Sequence, residues 1–351
     1  MSRAVPEPVA TSTIDNEHPA LRRALHPVCR SSDVADGQVI GTRLLGVDWA
    51  VARIDGEIVA MVDRCPHRLA PLSAGAVVDG TIECPYHGYR FEPDGRCVHI
   101  PALGPDAAIP PKATAVTPAA IEERYGLVWL APEPPVTGII DVPEWDDPEF
   151  VVAPLPDQQW RAGAGQLTEN FLDQGHLAML HAETFGDPDA HEVPTYTVER
   201  DGWSFVCSFE HSTKLLADSG GTADYTVANR RDTFVYEAPF SLRLRIEYLA
   251  EDVVLTICFF HQPVDRDTTR LYVFDLRNDI ADGRTTVEEA VSFQMAVGAE
   301  DKAMLERFTT TATPIDLQAE VHTRADRNTV EMRRVLADLV ALHVRAAAST
   351  G

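Results

Sequence analysis

Cys65 and His67 stand one residue apart in "CPHRLAP", and Cys84 and His87 stand two apart in "CPYHGYRF". Sixteen residues separate the pairs, and a proline follows each cysteine. Two thiolates and two imidazoles could hold a tetrahedral structural zinc. Zinc fingers, however, pair cysteine with cysteine and histidine with histidine, whereas each loop here offers one of each. That division suits a two-iron, two-sulfide cluster in which one iron takes both thiolates and the other both imidazoles. Neutral imidazoles leave such a cluster less negative and raise its potential to roughly −150 to +300 mV. The chemistry expected is electron transfer from a low-potential donor.

A second set of metal-binding side chains lies in "LTENFLDQGHLAMLHAETFG", residues 167–186. Asn170, Asp173 and His176 are spaced i, i+3, i+6 and would share one face of a helix, with Thr168 as its expected N-cap. His181 does not fit that face, because five residues of an ideal helix leave it about 140° from His176. The two histidines can share a metal only if the helix ends, or widens into a π-bulge, between them. With one carboxylate they would form the facial triad of non-haem Fe(II) oxygenases, which leaves positions open for O2. The carboxylate is sought in the helix expected over 285–308, where Glu300 and Asp301 both border the apolar face. Periodicity does not choose between them.

Together the two constellations resemble the Rieske non-haem iron oxygenases. Cys65, His67, Cys84 and His87 match the Rieske [2Fe-2S] motif, and N-x2-D-x2-H-x4-H matches the mononuclear-iron motif at Asn170, Asp173, His176 and His181. Neither loop carries the second cysteine that respiratory Rieske proteins join in a disulfide, so the oxygenase branch is implied. The chain is most similar to the vanillate and dicamba O-demethylase type. The resemblance implies Asp301, in an "EDK" segment, as the third iron ligand, with Glu300 the alternative. It implies that Asp173 links His176 to His87 of a neighbouring subunit, and that Asn170 sits near the iron without binding it. A head-to-tail homotrimer is implied with it.

The elements that must position these residues fall in two parts. Short alternating runs around the Cys/His loops, with "PDG" as a turn, predict a small all-β domain. A proline-rich crossing, "APEPPVTGIIDVPEW", then leads to six candidate strands between 193 and 278, with helices expected at 167–182, 285–310 and 325–347. The expected class is α+β: an N-terminal all-β Rieske domain, then a helix-grip catalytic domain with an antiparallel sheet. The expected boundaries are a mobile tail at 1–22, the Rieske domain at 23–135 and the catalytic domain at 136–351. Phe205, Phe234, Tyr236, Phe240, Phe259, Phe260 and His261 are candidate pocket residues, although alternating aromatics more often fill a core. Arg243 and Arg245 could meet an anionic substrate, but a salt bridge to Glu247 or another acid is the better expectation.

Composition narrows the function. Apolar residues make up 45% and charged residues 24% of 351, the balance of a soluble protein with a real core. A formal charge of −24 argues against nucleic acid or anionic membrane as a partner. The N-terminus has no apolar signal segment, so a cytoplasmic location is expected. Cys29, Cys97, Cys207 and Cys258 read as small buried apolar residues. There is no Gly-rich dinucleotide fingerprint, so electrons must come from a separate NAD(P)H-dependent reductase, with or without a ferredoxin. The expected protein is a terminal oxygenase carrying a [2Fe-2S] cluster and mononuclear Fe(II), which hydroxylates or dealkylates a small aromatic or other apolar substrate. Two alternatives are an electron carrier with a ligand-binding domain, and the same fold turned to amine N-oxidation or desaturation.

Overall fold

The structure, a computed structural model, describes residues 12–104, 107–187, 189, 191–216 and 225–350. The chain divides into two compact units, one formed by residues 21–138 with 262–265 and the other by residues 1–20, 139–261 and 266–351.

The first unit is built from three small antiparallel sheets. One joins Val39–Leu44, Val47–Ile54 and Glu57–Val62; one joins Ala76–Val78, Thr81–Glu83, Arg90–Phe91 and Cys97–His99; one joins Ala120–Arg124, Leu127–Ala131 and His26–Arg30. Met61, Ile82 and Phe91 of these strands turn inward with Leu72 of a short 3-10 turn, and Cys65 and Cys84 belong to the same buried cluster. The thiols therefore reach the two Cys/His loops from a packed interior.

The second unit carries one large antiparallel sheet, apart from residues 262–265 at the end of one strand, which are grouped with the first. Its strands are Val151–Pro154 (β1), Gln158–Trp160 (β2), Val198–Asp201 (β3), Ser204–Leu216 (β4), Tyr225–Glu237 (β5), Ser241–Tyr248 (β6), Val253–Asp265 (β7) and Thr268–Arg277 (β8). The order is β1-β8-β7-β6-β5-β4-β3, with β2 also paired to β8. The six strands after residue 193 follow the alternation in the sequence. The first two were not foreseen, because Pro154 and Pro156 interrupt any pattern, and they find their partners only across the chain on β8. Besides a single turn at Asn278–Ala281, the α-helices among the described residues are Ala164–Leu172 (α1), Leu177–Leu180 (α2), Val287–Leu305 (α3) and Arg327–Thr350 (α4). No helix among the described residues is long and apolar enough to cross a membrane.

Two expectations about the start of elements are corrected. Residues 1–22 are not a mobile tail as far as they are described. Thr13–Ile14 pairs with Thr313–Pro314, and the buried Asn16 side chain bonds Thr268, Thr269 and the amide of Ala164. Thr168 is not an N-cap either: α1 begins four residues earlier, after Gly163. A Cβ on Gly163 would lie 1.9 Å from the carbonyl oxygen of Thr311, so a bare backbone is required where the chain turns into the helix. Thr168 is left inside α1, bonding back to the Ala164 carbonyl and to His261 Nδ1.

α3 starts with a capping box. Thr286 Oγ1 accepts from the Glu289 amide, and the Glu289 side chain accepts from the Thr286 amide. This fixes the start of the helix that carries Glu300 and Asp301. Thr286→Ala should cost about 1 kcal/mol, seen as a lower denaturant midpoint for the catalytic unit, and Thr286→Ser should restore most of it.

Candidate active site

The two Cys/His loops are the same turn made twice. The amide of Cys65 bonds the carbonyl of Ala70 (2.8 Å), and that of Leu69 bonds the carbonyl of Cys65 (2.9 Å). In the second loop Cys84 bonds Tyr89 (2.8 Å) and Gly88 bonds Cys84 (3.0 Å). The fifth residue of each turn has positive φ, 61° at Leu69 and 68° at Gly88. Matching backbones place the cysteines in corresponding positions although the histidine spacing differs by one.

The cysteines are buried at 1% and 2% exposure, while both histidine rings are exposed, with centroids 4.5 Å apart. Burial, reinforced by the neighbouring Cys84, pushes the Cys65 thiol up to about 11. Two thiols held together in a dry interior need a bound metal to lose their protons. The donor set therefore fits a cluster with one iron held inside by sulfur and one outside by nitrogen. Cys29, Cys97, Cys207 and Cys258 are buried and not disulfide-bonded, as expected.

The second site is built where α1 ends. The helix stops at Leu172, earlier than expected, and Asp173 is extended (φ −76°, ψ 138°). Asn328 on α4 donates to the Leu172 carbonyl at 3.3 Å, and Arg333 one turn further forks onto Glu169 at 2.7 and 2.9 Å. After the break, His176 and His181 flank the single turn of α2. The continuous face proposed for Asn170, Asp173 and His176 is thus replaced by a kinked one. The break itself resolves the 140° problem, bringing the two rings to 5.1 Å between centroids.

α3 supplies the acids. Asp301 Oδ1 lies 3.5 Å from His176 Nε2 and 3.3 Å from His181 Nε2, and it accepts from Asn170 Nδ2 at 2.9 Å. The donor atoms of His176, His181 and Asp301 all lie within 4.8 Å of one another. Donors at right angles around an ion with bonds of about 2.1 Å would be about 3 Å apart, so this set fits a small divalent cation with little movement.

Behind each ring stands a second carboxylate. His176 Nδ1 donates to Asp173 Oδ2 at 3.1 Å, and His181 Nδ1 donates to Glu300 Oε2 at 2.7 Å. Thr184 Oγ1 also donates to that Glu300 oxygen, at 2.9 Å. Glu300, the alternative ligand in the sequence, thus faces the outer nitrogen of His181 rather than the shared donor cluster. Adjacent residues on a helix point about 100° apart, which is how one acid reaches the inner face and the other the outer.

Burial opposes charge on His176 and on Asp301, but the facing groups win. The two acids hold His176 up at about 9, and the two rings hold Asp301 down at about 2. A cation bound between them would take over from the His176 proton, so metal binding releases it.

A cavity of about 630 Å³ opens beside this cluster, within the range that takes small organic ligands. Of the candidate pocket residues, Phe234 and Phe259 line it; Phe205, Tyr236, Phe240, Phe260 and His261 are buried in the core instead. Trp160, Phe171, Phe185 and Phe293 line it and were not foreseen. Phe171 and Phe185 sit within or beside the iron motif, which was a signal available in the sequence. Arg243 and Arg245 bind the buried Glu144 at 3.2 and 2.6 Å, and Arg245 also reaches Glu247 at 3.4 Å, so the salt-bridge expectation holds.

Comparison with known proteins matches residues 160–342, more than half of the chain, to the vanillate O-demethylase oxygenase C-terminal domain. Residues 24–118 match the Rieske [2Fe-2S] domain. The chain is a Rieske non-haem iron oxygenase. As an oxygenase of this family it carries the Rieske cluster and a mononuclear iron. It is 29% identical to methylxanthine N1-demethylase NdmA of Pseudomonas putida over 94% of this chain and 92% of the relative. It is 36% identical to the oxygenase component of chloroacetanilide N-alkylformylase from Rhizorhabdus wittichii, over 46% of this chain and 47% of that one. The solved structure of NdmA with caffeine superposes with a TM-score of 0.82 at 28% identity, covering 94% of each chain. Dicamba monooxygenase bound to dicamba shares the fold, with a TM-score of 0.74 at 21% identity, over 93% of this chain and 99% of that one.

The geometry separates the two neighbouring acids. Asp301→Ala should strip the mononuclear iron while leaving the Rieske absorption intact. Glu300→Gln should weaken Fe(II) binding by about 10- to 100-fold, the usual effect of losing a carboxylate behind a ligating imidazole. Fe(II) titration of chelator-treated protein measures both.

Proposed function

We propose that this oxygenase removes an N- or O-alkyl group, a methyl in the first instance, from a neutral aromatic substrate, with electrons from a separate NAD(P)H-dependent reductase. The observation that carries the reading is the His176–His181–Asp301 cluster opening onto an aromatic-lined cavity of about 630 Å³. The activities named for NdmA, a demethylase, and for the N-alkylformylase support dealkylation in particular.

His176, His181 and Asp301 would hold the mononuclear iron, and Cys65, His67, Cys84 and His87 the cluster. Together these centres supply single electrons and a site at which O2 is activated. Asp173 and Glu300 fix the two rings with their Nδ1 protons outward, so that both Nε2 lone pairs face inward. Asn170 restrains Asp301 through Oδ1. Trp160, Phe171 and Phe259 offer flat apolar surfaces to a ring and limit water in the cavity. Each turnover would consume one O2 and one NAD(P)H, releasing formaldehyde, water and the demethylated product.

We further propose a homotrimer in which the cluster of one subunit serves the iron of the next, with Asp173 linking His176 to His87 of the neighbour. Exposed His67 and His87, flanked by Leu69 and Tyr86 at 62% and 65% exposure, support a contact surface at the loop tips. Asp173 keeps 26% of its side chain exposed, which leaves room for a partner. A heterologous contact with a rotation of one third of a turn would close into a three-membered ring. A cytoplasmic location, and a ferredoxin between reductase and cluster, belong to the same reading.

A panel of N-methyl and O-methyl aromatics with added reductase should give formaldehyde in step with O2 consumed; NAD(P)H oxidation without formaldehyde for every compound would reject dealkylation. The trimer has its own test. Cys84→Ser and His176→Ala homo-oligomers should both be inactive, and mixed oligomers purified on two tags should recover part of the activity. Mixed oligomers as dead as either parent would exclude electron transfer between subunits.

A further inference from the structure

Several polar groups around the cavity are committed elsewhere. Gln158 accepts from Trp160 Nε1 at 3.1 Å, Arg277 forks onto Asp279 at 2.8 and 2.7 Å, and Glu289 closes the cap of α3. Asp232 differs. It lies on β5, wholly buried, two residues from Phe234 and opposite Ile246 of β6, and all three line the cavity. Its Oδ2 accepts from Arg230 Nη2 at 2.9 Å and lies 2.9 Å from His211 Nε2. Its Oδ1 is buried with no hydrogen-bond partner among the described residues.

A buried carboxylate oxygen without a donor is destabilising, so an orphan on a residue that lines a ligand-sized cavity marks a place where a ligand can supply the donor. Arg230 stands beside it on the same face of β5 and lines the same cavity. A guanidinium carries five N–H donors, more than its contacts with Asp232, His211 and Tyr248 use. The wall therefore presents an acceptor next to a donor. Because Arg230 and Asp232 form an ion pair, it does so with no net charge.

We propose that Asp232 Oδ1 is a specificity-determining acceptor and Arg230 its companion donor, together reading the shared N–H and C=O edge of a primary amide or a lactam on a neutral aromatic substrate. This rests on the oxygenase reading and names its substrate class. A carboxylate on the substrate would meet Arg230 but also the Asp232 oxygen, so acids are disfavoured. An ester offers the carbonyl but leaves Oδ1 without a donor.

The test is binding to the holoprotein without reductase, so it does not depend on turnover. Calorimetry would compare matched pairs, each the primary carboxamide, whose N–H and C=O share one edge, and the methyl ester of one methoxy-substituted aromatic acid, across one-ring and two-ring members. The amide should bind about tenfold tighter or better, since a site built to bond an N–H rejects the analogue lacking it. In Asp232→Asn only the amide oxygen can face Arg230 Nη2, so the NH2 turns to the cavity and the amide preference should vanish or reverse. Asp232→Glu, which keeps the charge but shifts the oxygen, should lower the ratio without reversing it. Rieske absorption and circular dichroism check folding; if Asp232→Asn does not fold, the wild-type ratio and Asp232→Glu decide. Equal affinities in the wild type, an unchanged ratio in the variants, or no binding by any pair overturns the proposal. Amides that bind preferentially but never yield formaldehyde would instead reject the dealkylase reading and leave this one standing.

Discussion

The site depends on two carboxylate–imidazole hydrogen bonds, Asp173 to His176 and Glu300 to His181, of 3.1 and 2.7 Å. A carboxylate can only accept, so each ring must carry its proton on Nδ1 and turn Nε2 inward. That single constraint sets the direction of both nitrogen donors, and Asp301 meets them at 3.5 and 3.3 Å. Three features of the catalytic unit bring α3 beside the broken end of α1. They are the break at Asp173, the capture of the Leu172 carbonyl by Asn328 and the capping box of α3.

The same division of labour appears in the Rieske unit. Residues that must exclude water are buried, and residues that must pass electrons outward are not. The cysteines sit in the packed interior, and the histidine rings lie at the surface. The repeated turn lets one backbone solution serve twice, with glycine meeting the positive φ in one loop and Leu69 accepting it in the other.

What could be read from the sequence was what is local. The placing of Cys65 with His67 and of Cys84 with His87 is set by turn geometry, and the strands after residue 193 by alternation. The start and end of α1 were not readable, because both are tertiary: Gly163 is pressed against Thr311, and Leu172 is met by Asn328 from a helix more than 150 positions away. The pairing of Asn16 with β8 and the short strands at 151–160 were hidden for the same reason. Glu300 and Asp301 could not be told apart by periodicity, since both border the apolar face; only the position of His181 assigns one to the inner nitrogen and the other to the outer.

The central claim is that one chain holds both a Rieske cluster and a separate iron between His176, His181 and Asp301. Iron and acid-labile sulfide, counted on protein purified without oxygen, test it most directly. Two sulfides with about three irons per chain are predicted, two in the cluster and one in the triad. Two sulfides with about two irons, unchanged after Fe(II) is supplied, would contradict the account and leave the protein an electron carrier.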